Sequence, residues 1–298
     1  MAGDLSCHSR FIAMRVEKVY QPLSAGILEI WPVPGGDPVL FYPGTMLAPG
    51  HYETFLLALR EAGFTAGAMH FAGHGLAKKE KMDSFRSMLA EGLEAEDFLR
   101  REYGRVAVCG HSQGGILALA RAGQTPSVPA VFSICATFPQ NEEAIDLTLF
   151  APLRKHRAAL LSFIVASAKR APRLPIPLPF YLPVRKLLAG KLPPVHMGFD
   201  EGRISYPLKF LASLFSTVIS PELNCPFYLF SAVNDGLFTR KITEAAFAAI
   251  KAPRKELIWT PDGGHLAPLN PRLAAFIARK MASVCAGLGF SLNLAVTG

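Results

Sequence analysis

The stretch VAVCGHSQGGILALARA, Val106 to Ala122, decides the fold. A short β-branched run, Val106 to Cys109, leads into Gly110-His111-Ser112-Gln113-Gly114-Gly115, and a helical segment runs on from Gln113 to Ala122. A strand that passes through so tight a turn into a helix forces the central serine into a strained backbone conformation, with its hydroxyl raised above the sheet. Gly110 and Gly114 suit that turn because a Cβ at either place would collide with neighbouring backbone. G-x-S-x-G arises by chance about 0.1 times in a chain of this glycine content, so the flanking strand and helix carry the weight. Ser112 is the candidate nucleophile.

Outward from this turn, apolar runs alternate with helix-length segments. Strands are expected near Met14–Val19 and Ile27–Val33, then at Val39–Tyr42, Ala66–Phe71, Val106–Cys109 and Ala130–Cys135. Helices are expected at His51–Ala62, Ser84–Tyr103 and Gln113–Ala122. The alternation resumes after Pro221 with a strand at Phe227–Ala232, a helix at Thr239–Ile250, a strand at Glu256–Trp259 and a last helix from Pro271 to about Gly287. Strand then helix, repeated, predicts an α/β chain with a mostly parallel sheet covered on both faces. The expected division is a core of residues 1–137 and 223–298, with 138–222 inserted after the sixth strand as a mainly helical cap.

A serine hydroxyl is a poor nucleophile at neutral pH; it needs a base, and the base needs a carboxylate to hold its tautomer. Asp235, in SAVNDGLF, follows one late strand, and His265, in PDGGHLAPL, follows the next. The chain order Ser112, Asp235, His265 places every member beyond the C-terminal end of a strand, where loops converge. Asp262 is the alternative acid. His111, His74 and His51 are expected to be structural or superficial.

These motifs, GHSQGG, NDGLF and GGHLAPL, resemble those of α/β-hydrolase superfamily serine hydrolases with a cap domain, of the lipase, lysophospholipase and carboxylesterase kind. The resemblance runs from about Met14 to Gly287, outside the insertion. FYPGTM, Phe41 to Met46, is similar to the family's His-Gly segment, with Pro43-Gly44 in its place. The resemblance implies an oxyanion hole made by the Thr45 and Gln113 amides, or by Met46 if the register is shifted by one. HFAGHGLA is similar to the family's D-x-x-G-H-G turn, with His70 where an acid is usual. The implied activity is ester hydrolysis through an acyl-enzyme.

The insertion is foreign to the rest in composition. From Leu147 to Phe199 there are nine Lys or Arg (Arg154, Lys155, Arg157, Lys169, Arg170, Arg173, Arg185, Lys186, Lys191) and no Asp or Glu, against a net charge of +8 for the whole chain of 298 residues. The remainder is therefore close to neutral. Seven prolines between Ala171 and Pro194 exclude a long helix there and favour extended backbone. The insertion's Leu, Phe, Ile and Val suit an apolar acyl substrate, with Phe180, Tyr181 and His196 as the candidate substrate contacts. Its basic groups suit an anionic membrane surface. A thioesterase acting on an acyl chain carried by an acidic group, and a non-enzymatic membrane-surface binder, are the alternatives.

Other classes are excluded or unsupported. Half the residues are apolar and 18% are charged, which rules out a disordered chain. Five dispersed cysteines without a CxxC read as reduced thiols in a cytoplasmic protein, and residues 1–20 lack the apolar core of a signal peptide. The longest apolar run, the eleven residues Ala158 to Ala168, would reach about 16 Å as a helix, half of a bilayer core. No metal-ligand spacing or nucleotide-binding glycine motif is found, so no cofactor, no metal and no nucleic acid are expected.

Overall fold

The computed structural model describes residues 17–124, 128–140, 150–182 and 205–294. Among the described residues the strands in chain order are β1 (Val19–Pro22), β2 (Ile27–Trp31), β3 (Pro38–Tyr42), β4 (Thr65–His70), β5 (Ala107–His111), β6 (Val131–Ile134), β7 (Pro175–Pro177), β8 (Ser205–Pro207), β9 (Phe227–Ala232) and β10 (Lys255–Thr260). Eight of them form one sheet in the order β1-β2-β4-β3-β5-β6-β9-β10. β2 runs antiparallel to both β1 and β4, and from β4 to β10 every pair is parallel. The described helices are α1 (Glu53–Glu61), α2 (Phe85–Tyr103), α3 (Gln113–Ala122), α4 (Arg157–Arg170), α5 (Leu208–Ser216), α6 (Arg240–Ala249) and α7 (Pro271–Gly287).

The sheet's central strands are apolar on both faces because both are covered. In β3, Leu40 and Tyr42 pack in one cluster with residues of α2 and α3, such as Met88 and Leu117, while Val39 and Phe41 pack in a second with residues of α1 and α7, such as Leu56 and Ile277. Strand periodicity of two therefore divides a single run of apolar residues between two cores. The edges are treated differently: β1 is largely exposed and ends on Pro22, which cannot extend a ladder.

Several boundaries differ from expectation. The first strand lies at Val19–Pro22 rather than Met14–Val19, with residues 1–16 outside the described residues; its place is fixed by the hairpin pairing of Val19 with Ile30 and Pro22 with Ile27. The helix expected from His51 begins as a 3-10 turn, Pro49–Tyr52, before α1. Ser84 is the cap of α2, accepting the Ser87 N–H at 3.1 Å.

In the segment between β6 and β9, α4 and α5 pack together and α5 also meets α2. Of the proline tract, Pro175–Pro177 is extended as β7, paired antiparallel with β8, Leu178–Phe180 turns as a short 3-10 helix, and residues 183–194 lie outside the described residues. Phe210 and Leu211 of α5 are buried, whereas α4 buries only Ala168.

Winding direction locates the site. From β3 the chain crosses to β4 on one side, and β5 then lies on β3's other side. This is a topological switch point, and the loops leaving β3 and β5 diverge there to leave a crevice at the C-terminal strand ends. Thr45 leaves β3 and Ser112 leaves β5.

Candidate active site

The turn after β5 has the strained geometry that its glycines imply. Ser112 sits at φ 52° and ψ −117°, a left-handed region that a residue with a Cβ rarely occupies. A Cβ on Gly110 would lie 2.1 Å from the Gly114 carbonyl oxygen, and one on Gly114 would lie 2.0 Å from that of Tyr42. Only glycine lets β5, β3 and the first turn of α3 approach so closely. Ser112 N–H is anchored to the Ile134 carbonyl at 2.9 Å.

His265 follows β10 in a 3-10 turn, Gly264–Leu269, and its Nε2 lies 2.9 Å from Ser112 Oγ. Its Nδ1 lies 3.0 Å from Asp235 Oδ2. A carboxylate can only accept, so Nδ1 carries the proton and Nε2 is left to accept the serine hydroxyl. Asp235 Oδ1 meanwhile accepts the Leu237 and Phe238 amides at 2.7 and 2.9 Å. Burial alone would raise the Asp235 pKa, but the His265 ring and these amide donors outweigh it and hold the carboxyl below its ordinary value. The three residues named from sequence thus meet in one buried chain of hydrogen bonds. Asp262 does not join it; its carboxylate pairs with Arg272 at 2.6 Å on the outside.

Ser112, Thr45 and Gln113 line one cavity with Ile116, Phe138, Tyr181, Leu182, Leu214, Phe215 and Phe238. Its wall is mostly apolar. Gln113 opens α3, where the first amides have no intrahelical acceptor. Thr45 Oγ1 donates to Gln113 Oε1 at 3.1 Å, tying the two turns together. Met46 N–H points elsewhere, to Tyr206 Oη at 2.8 Å. Of the substrate contacts expected in the insertion, Tyr181 lines the cavity; Phe180 is 52% exposed and does not, because neighbouring side chains diverge along the chain there. His196 lies outside the described residues.

The structure gives supporting roles to His111 and His70, which the sequence left as structural or turn residues, and to Tyr52 and Asn234, which it did not single out. His111 Nε2–H donates to the His265 carbonyl at 2.7 Å, so its Nδ1 accepts the Tyr52 hydroxyl at 2.6 Å, and Tyr52 Oη in turn accepts Gly44 N–H at 3.0 Å. This chain joins the Gly44 turn to the backbone of His265. Burial, together with the nearby His265 ring, lowers the His111 pKa to about 3, so the ring stays neutral and keeps those directions. Asn234 accepts Gly264 N–H at 2.9 Å, coupling the Asp235 and His265 turns; its place in N-D-G was the available signal. His70 takes over from the acid usual at its turn: Nε2–H donates to Glu29 at 3.0 Å, leaving Nδ1 to accept Leu76 N–H at 3.2 Å.

Among the described residues one group has metal-like proximity: Cys135, Asp235 and His265, whose donor atoms lie within 4.8 Å of one another. Burial and the neighbouring Asp235 push the Cys135 thiol well above its ordinary pKa, so it retains its proton, and two of the three groups are already bonded to each other. This is a poor donor set for a cation.

Residues 39–278 match the model of a family described as the alpha/beta hydrolase family. Solved structures with the same fold include the monoacylglycerol lipase of Paleococcus ferrophilus, at 16% identity and TM-score 0.69, covering 88% of this chain and 98% of that one. A soluble variant of monoglyceride lipase from Saccharomyces cerevisiae, in complex with a substrate analogue, is similar at 14% identity and TM-score 0.66, covering 91% and 94%. A thermophilic esterase from Thermogutta terrifontis is similar at 17% identity and TM-score 0.60, covering 91% and 99%. At such identities the likeness is one of fold. No curated protein matches the sequence. The family match spans most of the chain and includes all three hydrogen-bonded residues Ser112, Asp235 and His265, and on that ground the chain belongs to the alpha/beta hydrolase family.

Proposed function

We propose that this protein is a serine hydrolase that cleaves carboxylic esters with an apolar acyl group. The observation that carries the proposal is the continuous pairing of Ser112 Oγ with His265 Nε2 and of His265 Nδ1 with Asp235, at the wall of an apolar cavity. Ser112 attacks the ester carbonyl while His265 takes its proton, and Asp235 holds the imidazole and stabilises its cationic form. The Thr45 and Gln113 amides receive the oxyanion. His265 then protonates the leaving alkoxide, and water releases the acyl group by the same route.

Residues 138–222 serve in this scheme as a cap over a core of 1–137 and 223–298, supported by the presence of Tyr181, Leu182, Leu214 and Phe215 beside Ser112. Its outer face takes an anionic lipid surface as partner. Phe163 is 69% exposed on α4, and along the chain the basic groups Arg154, Lys155 and Arg157 precede it and Lys169, Arg170 and Arg173 follow it. No described helix is long and apolar enough to cross a membrane.

A fluorophosphonate probe and a p-nitrophenyl ester series test the proposal. Native protein is expected to label at Ser112 and to turn over butyrate and longer esters faster than acetate, while Ser112→Ala neither labels nor turns over. Equal labelling of native protein and Ser112→Ala would defeat the enzyme assignment, and a preference for acetate would defeat the apolar acyl group. Faster turnover of the matching acyl thioesters would replace the ester with a thioester as substrate.

A further inference from the structure

Tyr206 belongs to the inserted segment, yet it is wholly buried beneath the turn that follows β3. An amide can only donate, so Tyr206 Oη accepts Met46 N–H at 2.8 Å. The hydroxyl proton then points to His74 Nε2 at 2.9 Å, and His74 Nδ1–H donates to the Ala72 carbonyl at 3.2 Å. One tautomer of His74 satisfies all three bonds. Met46 itself has φ 61°, a conformation that a side-chain-bearing residue keeps only where its surroundings hold it.

The amide held by Tyr206 is the peptide that joins Thr45 to Met46. Holding that plane restricts the ψ rotation about the Thr45 Cα, and so narrows the directions open to the Thr45 N–H in the peptide just before it. The same tyrosine ring lies against Tyr181, with centroids 6.3 Å apart and planes 15° apart, and meets Phe210 edge-on at 4.7 Å. Tyr181 in turn lines the cavity beside Ser112. Tyr206 therefore touches the oxyanion turn with its hydroxyl and the acyl wall through its ring.

We infer that Tyr206 is a positioning residue through which the inserted segment sets the oxyanion turn for the tetrahedral intermediate. This rests on the serine hydrolase assignment, with Thr45 N–H as one oxyanion donor. An oxyanion donor acts only when aimed at the position the charged oxygen will occupy, and loss of a whole donor lowers kcat about 10²- to 10³-fold. Loss of its aim is expected to lower kcat about 10- to 100-fold, with KM nearly unchanged, because the neutral carbonyl of the bound ester depends little on the hole.

The test is Tyr206→Phe, which keeps the ring and its packing. Its control is Tyr228→Phe, a buried hydroxyl without a hydrogen-bond partner among the described residues, on β9, three strands away from β3 in the sheet. Each variant is measured for kcat and KM on a p-nitrophenyl ester, for affinity toward phenylboronic acid, and for hydrogen exchange at the Met46 amide. Boronic acid accepts Ser112 Oγ at boron and carries a tetrahedral anion into the hole, so its affinity reports oxyanion geometry. Tyr206→Phe is expected to lose boronate affinity by the same factor as kcat and to speed Met46 exchange, whereas Tyr228→Phe does neither. Native kcat and boronate affinity in Tyr206→Phe overturn the inference and leave the hydrolase assignment standing. If Tyr206→Phe loses kcat and boronate affinity but keeps native Met46 exchange, the effect does not pass through the turn, and the inference again fails. Failure of the native protein to label with fluorophosphonate overturns the hydrolase assignment first, and with it the role given to Tyr206.

Discussion

Ser112 holds a conformation that its side chain resists, and the cost is measurable. A non-glycine residue at such φ and ψ stores about 1–3 kcal/mol. Ser112→Gly and Ser112→Ala both lose the hydroxyl and its bond to His265, so they differ only in the Cβ. Ser112→Gly is expected to be the more stable of the two by about 1 kcal/mol, reversing the usual penalty of glycine, and both are inactive. Denaturant midpoints decide it: an alanine variant as stable as the glycine one would show that the turn is unstrained. His111 supplies a second residue-scale test, through pH. Its folded pKa of about 3 lies below the ordinary histidine value, so between the two the unfolded chain binds a proton that the folded one refuses. Stability is therefore full above about pH 6.5 and is lost as pH falls toward 3. His111→Asn, which cannot take up that proton, is expected to flatten this part of the stability profile; an unchanged acid slope would show that other groups set it.

At the scale of elements, α2 carries the opposite dependence. Glu91 is buried on α2 and accepts the Ala72 amide at 2.8 Å, but burial raises its pKa to about 7 despite that bond. Here the folded state keeps a proton that the unfolded chain releases above about pH 4.5, so stability falls as pH rises from about 4.5 to 7. Glu91→Gln keeps an acceptor for Ala72 and removes the charge. It is expected to raise stability at pH 8 by about 2–3 kcal/mol and to change little at pH 4.5. A variant no more stable than the native protein at pH 8 would sink this account. The elements also separate what the sequence discloses from what it hides. β3, β5 and β9 are legible as apolar runs; Ser112 and Asp235 are legible because each follows such a run, and His265 because it follows the next strand, β10. The edge strand β1 is not, since VYQP alternates too weakly and its register comes from pairing with β2. Nor are Tyr52, His111 and Tyr206 legible as supporting residues: Tyr52 and His111 are 59 residues apart and Tyr206 reaches Met46 and His74 from 160 and 132 residues away, partnerships that form only when the sheet is wound. Their chemistry lies in directions of single hydrogen bonds, which no spacing encodes.

At the scale of the whole molecule, the charge is distributed by segment. The described part of the acid-free stretch carries Arg154, Lys155, Arg157, Lys169, Arg170 and Arg173, and the cavity beside Ser112 is lined by none of them. Direct pairing with an acidic group of a substrate held beside Ser112 would need them at the cavity wall, and none of them is there. On α4 they flank an apolar helix of which only Ala168 is buried. Each basic group close to an anionic lipid surface contributes about 1 kcal/mol, screened by salt. The pair Lys169→Glu and Arg170→Glu is therefore expected to weaken binding to phosphatidylserine-containing vesicles at least 10-fold, and native binding is expected to fall steeply with added salt. Phe163→Asp is expected to weaken binding at every salt concentration, because it removes the apolar contact and adds repulsion. All three substitutions lie away from the cavity lining, so hydrolysis of a water-soluble ester stays at the native rate. Sedimentation with vesicles measures the binding, and equal binding of native protein to neutral and anionic vesicles would return the basic stretch to a solvated surface with no lipid partner.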